Sequence, residues 1–448
     1  FGSSLAVLPA GASHGQSQMQ RAAVAEPLRL CGRRLFARLS NDWHRAASEL
    51  RAGQSGPAQA AVVAQLAKRT ARPGALSSLA PRQLAAIAWA WSRLAFSDEA
   101  MCTALCGRFA EALPSADPKS VATVAHALGS LGQQPADLLE AVCEQVPAQL
   151  EAFSARDLSS LVYALGRAAF RRERFLRAAG VHASGRLPSF NAQDISNLLY
   201  GLGQLAFRDE VLLRAVCLHA PARLRDFSAQ GMANSTYALC LLSFRHEGFL
   251  GALCAHAPGR LDEFNAQNLA NTVYALGVLD YRPDGFLRDV CTHALHRLEE
   301  FKAQELSNTI YALGLLNQRE EAFLQAACDQ AAARLSELNA QNVSNVVYAI
   351  GRMGCRHEGL LQAVCSAAPR RLHEFSAQGL ANVVHGLGLL SFRHRSFLRA
   401  VRDHAPARLA EFHAQHLAST AHGLGLLGAT LSGRTERPGG SACGEHKK

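Results

Sequence analysis

The chain has 448 residues, a formal charge of +10 and 49% hydrophobic residues. That length suits two or three ordinary domains, and no apolar run approaches the ~18 residues of a membrane span. Six arginines (Arg21, Arg29, Arg33, Arg34, Arg38, Arg45) against Glu26 and Asp42 put +4 before residue 49, leaving about +6 for the rest, too little by itself to demand a nucleic-acid partner.

Residues 1–48 are rich in Ala, Ser, Gly and Arg and poor in acids. They read as a disordered or transit-peptide-like segment, mitochondrial or plastid. Residues 49–78 contain AQAAVVAQLAKR, which reads as a degenerate half-repeat forming an N-terminal cap. Residues 428–448 lack apolar periodicity and read as a disordered tail.

Residues 79–427 are organised by a repeat. An aromatic opens the unit at Phe153, Phe190, Phe227, Phe264, Phe301, Phe375 and Phe412, with Leu338 filling the one gap, at steps of 37 residues. The register extends back through Ala116 and Leu79, giving ten copies, the last only a first half. A fixed period of this size marks a stack of supersecondary units. Numbering each unit from its opening residue, Leu269, Val273 and Leu276 stand at positions 6, 10 and 13, the spacing of one helix face. Ala270 and Gly277 flank that face and recur as small residues, which lets neighbouring helices approach closely. A second helix starts at an acid (Glu210, Glu247, Asp284, Glu321, Glu358) suited to a helix N-terminus. It turns Phe286, Leu287 and Val290 inward and stops near Pro221, Pro258, Pro369 or Pro406. The expected fold is all-α: an α-solenoid of about ten helix-turn-helix repeats.

Seven cysteines (Cys106, Cys143, Cys217, Cys254, Cys291, Cys328, Cys365) share one column. Repeats stacked roughly 8–10 Å apart put them beyond disulfide reach, so they read as buried small apolar residues. No metal site or cofactor is expected. Phosphate-cradling, nucleophile-elbow and zinc-protease motifs are absent, and the recurrent His182, His219, His256, His293 and His404 suit packing rather than catalysis. No catalytic residue is assigned.

The polar stripe of the first helix carries the functional expectation. Positions 4, 8 and 11 repeat as Gln193–Asn197–Tyr200, Gln230–Asn234–Tyr237, Gln267–Asn271–Tyr274, Gln304–Asn308–Tyr311 and Gln341–Asn345–Tyr348, with His385 and His422 replacing Tyr later. This is either a structural ladder of amides or a face offering amides and flat rings to unstacked bases. Positions 2 and 5 vary, with Asn268 and Glu305 among the latter; they suit either base discrimination or helix N-caps. A loop arginine column (Arg171, Arg208, Arg245, Arg282, Arg319, Arg356, Arg393) suits a phosphate track, with an acid two residues on in most copies trimming its net field. A second column (Arg186, Arg223, Arg260, Arg297, Arg334, Arg371, Arg408) usually has an acid three residues on and suits local ion pairs.

The unit FxAQxLANxxYALGxL at this period resembles the heptatricopeptide repeats of organellar RNA-binding proteins. It is similar to octotricopeptide and FAST-kinase-like repeats, and to the repeat domain of mitochondrial RNA-editing substrate-binding subunits. The resemblance covers about residues 79–427. It implies binding of single-stranded RNA (mRNA or rRNA) in mitochondria or plastids, in transcript processing, stability or rRNA maturation, with other proteins of an RNA-processing complex as further partners and no membrane. Many relatives carry a nuclease-like RAP domain after the repeats; residues 428–448 do not resemble one, so cleavage is not expected. The alternative is a protein-binding α-solenoid scaffold, whose face would carry larger apolar patches instead of Arg, Tyr and Asn.

Overall fold

The structure is a computed structural model that describes residues 38–49 and 57–428. Among these residues there is no strand. An N-terminal pair, α1 (38–49) and α2 (Pro57–Thr70), is followed by nine helix pairs and a final single helix. The pairs are α3 (Pro81–Arg93) with α4 (Glu99–Ala112), α5 (Pro118–Ser130) with α6 (Ala136–Gln145), and α7 (Ala155–Arg167) with α8 (Glu173–Gly185). Next come α9 (Ala192–Gln204) with α10 (Glu210–His219), α11 (Ala229–Leu241) with α12 (Glu247–His256), and α13 (Ala266–Val278) with α14 (Asp284–Leu295). The series closes with α15 (Ala303–Leu315) and α16 (Glu321–Ala333), α17 (Ala340–Met353) and α18 (Glu358–Ala367), α19 (Ala377–Leu389) and α20 (Arg395–His404), then α21 (Ala414–Leu426). This is an all-α solenoid of 37-residue repeats, with two compact units dividing at Leu212/Leu213.

Each first helix begins where the sequence supplies a cap. Asn265 accepts a hydrogen bond from the Asn268 N–H at 2.8 Å, and Ser154, Asn191, Ser228, Asn339 and Ser376 do the same in their copies. This satisfies one orphan N–H of the first turn. The second helices stop where the prolines enter: Pro221, Pro258, Pro369 and Pro406 each sit at the start of a 3₁₀ segment that returns the chain to the next repeat. Leu269, Val273 and Leu276 are buried, as are Phe286, Leu287, Val290 and the opening aromatics from Phe153 to Phe301. The seven-cysteine column is buried too, and burial pushes the Cys254 thiol up to about 12.

Within each unit, adjacent first helices pack along their whole lengths, while adjacent second helices meet more sparsely. The small residues explain the difference. A Cβ on Gly314 would lie 2.5 Å from the Ala349 Cβ of the next repeat, and one on Gly277 would lie 2.8 Å from the Ala312 Cβ. The first helix of every copy ends the same way. Position 17 is left-handed throughout: Ala95, Ala169, Ala206, Ser243, Asp280, Asn317 and Ser391 have φ of 49–52°, and Gly132, Gly354 and Gly428 fill the other copies. The Tyr281 N–H then bonds the Leu276 carbonyl at 2.9 Å and the Asp280 N–H bonds the Gly277 carbonyl at 3.2 Å, a Schellman closure. The conformation costs a non-glycine residue about 1–2 kcal/mol. The sequence patterns did not reveal it, because the residue type changes from copy to copy while the backbone does not.

The N-terminal boundary differs from expectation. The segment expected to end at residue 48 includes most of α1, where Leu39, Trp43, Ala46 and Ala47 are buried. The Trp43 indole donates to Thr70 Oγ1 at 2.9 Å, and Arg69 pairs with Asp42 at 2.8 Å. Residues 38–48 are therefore part of the array, and α2 is half of a complete pair. The rest of that segment (1–37) and residues 429–448 lie outside the described residues.

The steric role of position 14 is testable within one chain. Gly314→Ala should lose about 1–3 kcal/mol from overpacking, read by chemical denaturation. Gly425→Ala, at the same position of α21 with nothing within 4 Å, should be neutral or slightly stabilising.

Candidate nucleic-acid interface

The four-residue stripe at positions 4, 8, 11 and 15 of the first helix is half-buried or exposed in every copy, while the residues between are largely buried. Steps of four, three and four residues place the set on one line along a helix. Positions 4, 8 and 11 were legible in advance; position 15, and the composition of the stripe taken whole, were not. In none of the ten copies is any of these positions an Asp or Glu, although the chain has 36 acids.

Position 11 is an aromatic or histidine ring in every copy, including Trp89, His126 and Tyr163, which the Gln–Asn–Tyr pattern missed. In the first unit, His126–Tyr163 and Tyr163–Tyr200 have ring centroids 5.7 Å apart, and His44 of α1 stacks on Trp89 at 4.8 Å. In the second unit the separations are 6.3 Å for Tyr237–Tyr274, 6.5 Å for Tyr311–Tyr348, 6.1 Å for Tyr348–His385 and 5.3 Å for His385–His422. A base slipped between two parallel rings needs about 7 Å, twice the 3.4 Å rise of stacked bases. At these pairs the rings therefore present edges and faces to a ligand lying on them, with no room for a base between. Burial raises the pKa of Tyr237, Tyr274 and Tyr311, so these phenols stay protonated donors.

The amides flank this strip. Gln193 Nε2 donates to Asn197 Oδ1 at 2.8 Å within its own helix. Among the described residues, Asn197, Asn234, Asn271, Asn308 and Asn345 make no hydrogen bond to a neighbouring repeat. An inter-repeat amide ladder is therefore not what holds the stack together. Two concavities open on the stripe. One of about 840 Å³ is lined by Trp89, Lys119, His126, Arg156 and Asn197 in the first unit, and one of about 450 Å³ by Tyr274, Tyr311, Gln341, Asn345 and Asn382 in the second.

The model of the RNA-editing substrate-binding complex 6 protein family matches residues 58–283 and 256–425. The chain belongs to that family. The overlap of the two matches reflects the repeat, which lets one model align in two registers. No curated protein matches the chain.

Several site expectations for this family member change with the geometry. Asn268 is only 7% exposed, as the third residue of α13 beneath the Asn265 cap. Asp194 is likewise buried, accepting the Asn191 N–H at 3.0 Å, with its pKa raised by burial. Glu305 accepts the Lys302 N–H at 2.9 Å. Positions 2 and 5 thus form helix caps, and Asn268 and Glu305 are committed to helix starts instead of facing a ligand.

The loop arginines are also engaged. Arg208, Arg245, Arg282, Arg319 and Arg356 each hold the acid two residues on at 2.7–2.8 Å. Arg171 donates to the Ala206 carbonyl at 3.0 Å, and Arg245 and Arg356 reach Leu279 and Leu390 carbonyls at 3.4 Å. These guanidiniums satisfy carbonyls left open at the next repeat's left-handed turn, so a phosphate track is not their structural role. The second column does pair locally, as its spacing predicted: Arg260–Glu263, Arg297–Glu300, Arg334–Glu337 and Arg408–Glu411 lie at 2.6–2.7 Å. It also binds back to the preceding repeat, with Arg297 on the Phe264 carbonyl and Arg408 on the Phe375 carbonyl at 2.9 Å. His293 and His404 lie 2.7 and 3.3 Å from those arginines, a packing role.

Two tests separate capping from ligand contact and locate a pH dependence. Asn265→Ala should cost about 1 kcal/mol in denaturant melts and leave ligand preference unaltered. His385 has its pKa lowered by burial, with His422 and Arg352 adding repulsion. Neutral in the fold, it contributes stability that is complete above its unfolded pKa near 6.5 and is lost as pH falls through the folded value. The drop in Tm between about pH 7 and pH 5.5 should shrink in His385→Tyr, which installs the ring that most other copies use.

Proposed function

We propose that this chain is an organellar RNA-binding solenoid, of heptatricopeptide type, that lays single-stranded mRNA or rRNA along the stripe at positions 4, 8, 11 and 15. The family's description names an RNA-editing substrate-binding complex, and the proposal extends that role here: a non-catalytic subunit that holds RNA beside other proteins of the assembly. The consequence for the RNA is processing, stability or rRNA maturation. A mitochondrial address, with plastid as the alternative, rests on the arginine-rich, acid-poor composition of residues 1–37.

The observation that carries the reading is a stripe with a ring in every copy and an acid in none. Rings stack on bases without regard to sequence. Side-chain amides with no partner in neighbouring repeats bond base edges, and the absence of carboxylates from the stripe positions themselves limits repulsion of phosphates. The residues assigned are Asn197, Tyr200, Asn234, Tyr237, Asn271, Tyr274, Asn308, Tyr311, Asn345 and Tyr348. At about one nucleotide per repeat, the ten copies would cover roughly ten nucleotides.

One observation favours the scaffold reading for the second unit. Position 15 there is aliphatic and exposed at Leu241 (38%), Val278 (44%), Leu389 (38%) and Leu426 (48%), a surface suited to a protein partner.

Fluorescence anisotropy with pools of short single-stranded RNA tests the proposal. Purified protein should bind with salt-sensitive affinity. Replacing Tyr237, Tyr274 and Tyr311 together with Leu should weaken binding at least tenfold, at about 1–3 kcal/mol per stacked base, at an unchanged Tm. Lost Tm with unaltered affinity per folded molecule would make the rings structural. Folded protein that ignores RNA yet captures a protein through this stripe would establish the scaffold instead.

A further inference from the structure

The stripe is not chemically uniform. From the fourth copy onward position 4 is always Gln, running from Gln193 to Gln415, and position 15 carries a cation only at Arg352. In the first three copies position 4 is Arg82, Lys119 and Arg156, and position 15 contributes Arg93 and Arg167. All five side chains stand on exposed residues of one layer of first helices, on either side of the Trp89–His126–Tyr163 rings. Lys119 and Arg156 line the 840 Å³ concavity.

The carboxylates nearby are accounted for. Asp117 holds Arg82 at 2.9 Å. Asp157, which accepts from Ser154 Oγ at 2.6 Å, and Asp194, buried in its helix cap and stabilised as a carboxylate by the Arg156 charge, also line the concavity, but neither forms an ion pair among the described residues. Among the described residues, no carboxylate lies within ion-pair distance of Lys119, Arg93, Arg156 or Arg167. These four contrast with the two arginine columns, nearly every member of which is held by an acid or a backbone carbonyl. An exposed cation without an ion pair has little more than water to lose when an anion arrives, whereas a paired one must first give up its carboxylate.

We propose that the first three repeats are the backbone-gripping subsite of the interface, where Lys119, Arg156, Arg93 and Arg167 hold internal phosphodiesters of a single strand on both sides of the ring strip. The later repeats, nearly uncharged on the stripe, contact bases. This rests on the RNA reading above and assigns its electrostatic part to residues that neither the repeat consensus nor the loop arginine column contains.

The test uses substitutions that copy the chain's own later repeats: Lys119→Gln, Arg156→Gln, Arg93→Gln and Arg167→Gln combined, with Tm checked against wild type. Affinity for a short single-stranded RNA bearing a 5′-hydroxyl is measured across salt concentrations. Four lost contacts at about 0.7 each flatten the slope of log K against log salt by about 2.8. Wild type should then lose roughly fifty-fold more affinity than the variant between about 50 and 200 mM salt. The charge-preserving pair Lys119→Arg with Arg156→Lys should keep the wild-type slope. Arg245→Gln with Arg282→Gln and Arg319→Gln should keep it too, once compared per folded molecule. Adding a 5′-phosphate to the RNA should not change affinity; a large gain would assign the groove to a strand end and overturn the proposal. A variant that binds RNA with an unaltered slope would also overturn it, leaving the groove to an anionic protein segment. If wild-type protein binds no RNA at all, the failure lies in the RNA reading itself, and the two cases are told apart by that first measurement.

Discussion

Backbone-to-backbone closeness between neighbouring first helices is the constraint on which the rest depends. Helices carrying ordinary side chains at the crossing stand about 8–10 Å apart. Here glycine at position 14 faces alanine or glycine at position 12 of the next copy, and an added Cβ would fall within 3 Å of its neighbour at Gly166, Gly277, Gly314, Gly351 and Gly388. No such requirement acts on the second helices, so they meet more loosely. Within each unit the tighter layer is therefore the one that carries the stripe, and the ring separations of 5.3–6.5 Å in the second unit follow from that spacing. A strip of rings this close favours a ligand laid across it over one threaded between.

The two arginine columns show how a basic chain avoids being indiscriminately sticky. Many of these guanidiniums work twice, once toward a carboxylate in their own repeat and once toward a carbonyl in an adjacent one, as Arg297 does with Glu300 and Phe264. The ion pairs alone contribute little at partly exposed sites. Satisfying a carbonyl at a helix end matters more, because an open one is costly. On the stripe itself, cations without an ion-pair partner are concentrated beside the rings of the first three copies, with Arg352 the one later exception among the described residues.

The 37-residue period, the two-helix unit, the inward Leu269–Val273–Leu276 face, the buried cysteine column and the Gln–Asn–Tyr stripe were all readable in the sequence. They are properties of spacing along a helix, and a repeat writes that spacing many times over. Tertiary structure decided which of two plausible roles each variable polar residue takes. Ser, Asn and Asp suit helix caps as well as base edges, and only the burial of Asn268 and Asp194 assigns positions 2 and 5 to caps. An arginine two residues before an acid can serve a phosphate or a carbonyl, and only the turn of the following repeat brought that carbonyl within reach. The left-handed residue at position 17 is a backbone property carried by Ala, Ser, Asp, Asn and Gly alike, so no residue pattern announces it. Helix α1 escaped notice because its register is offset from the array, and its membership is written in the contact of Trp43 with Thr70, 27 residues away.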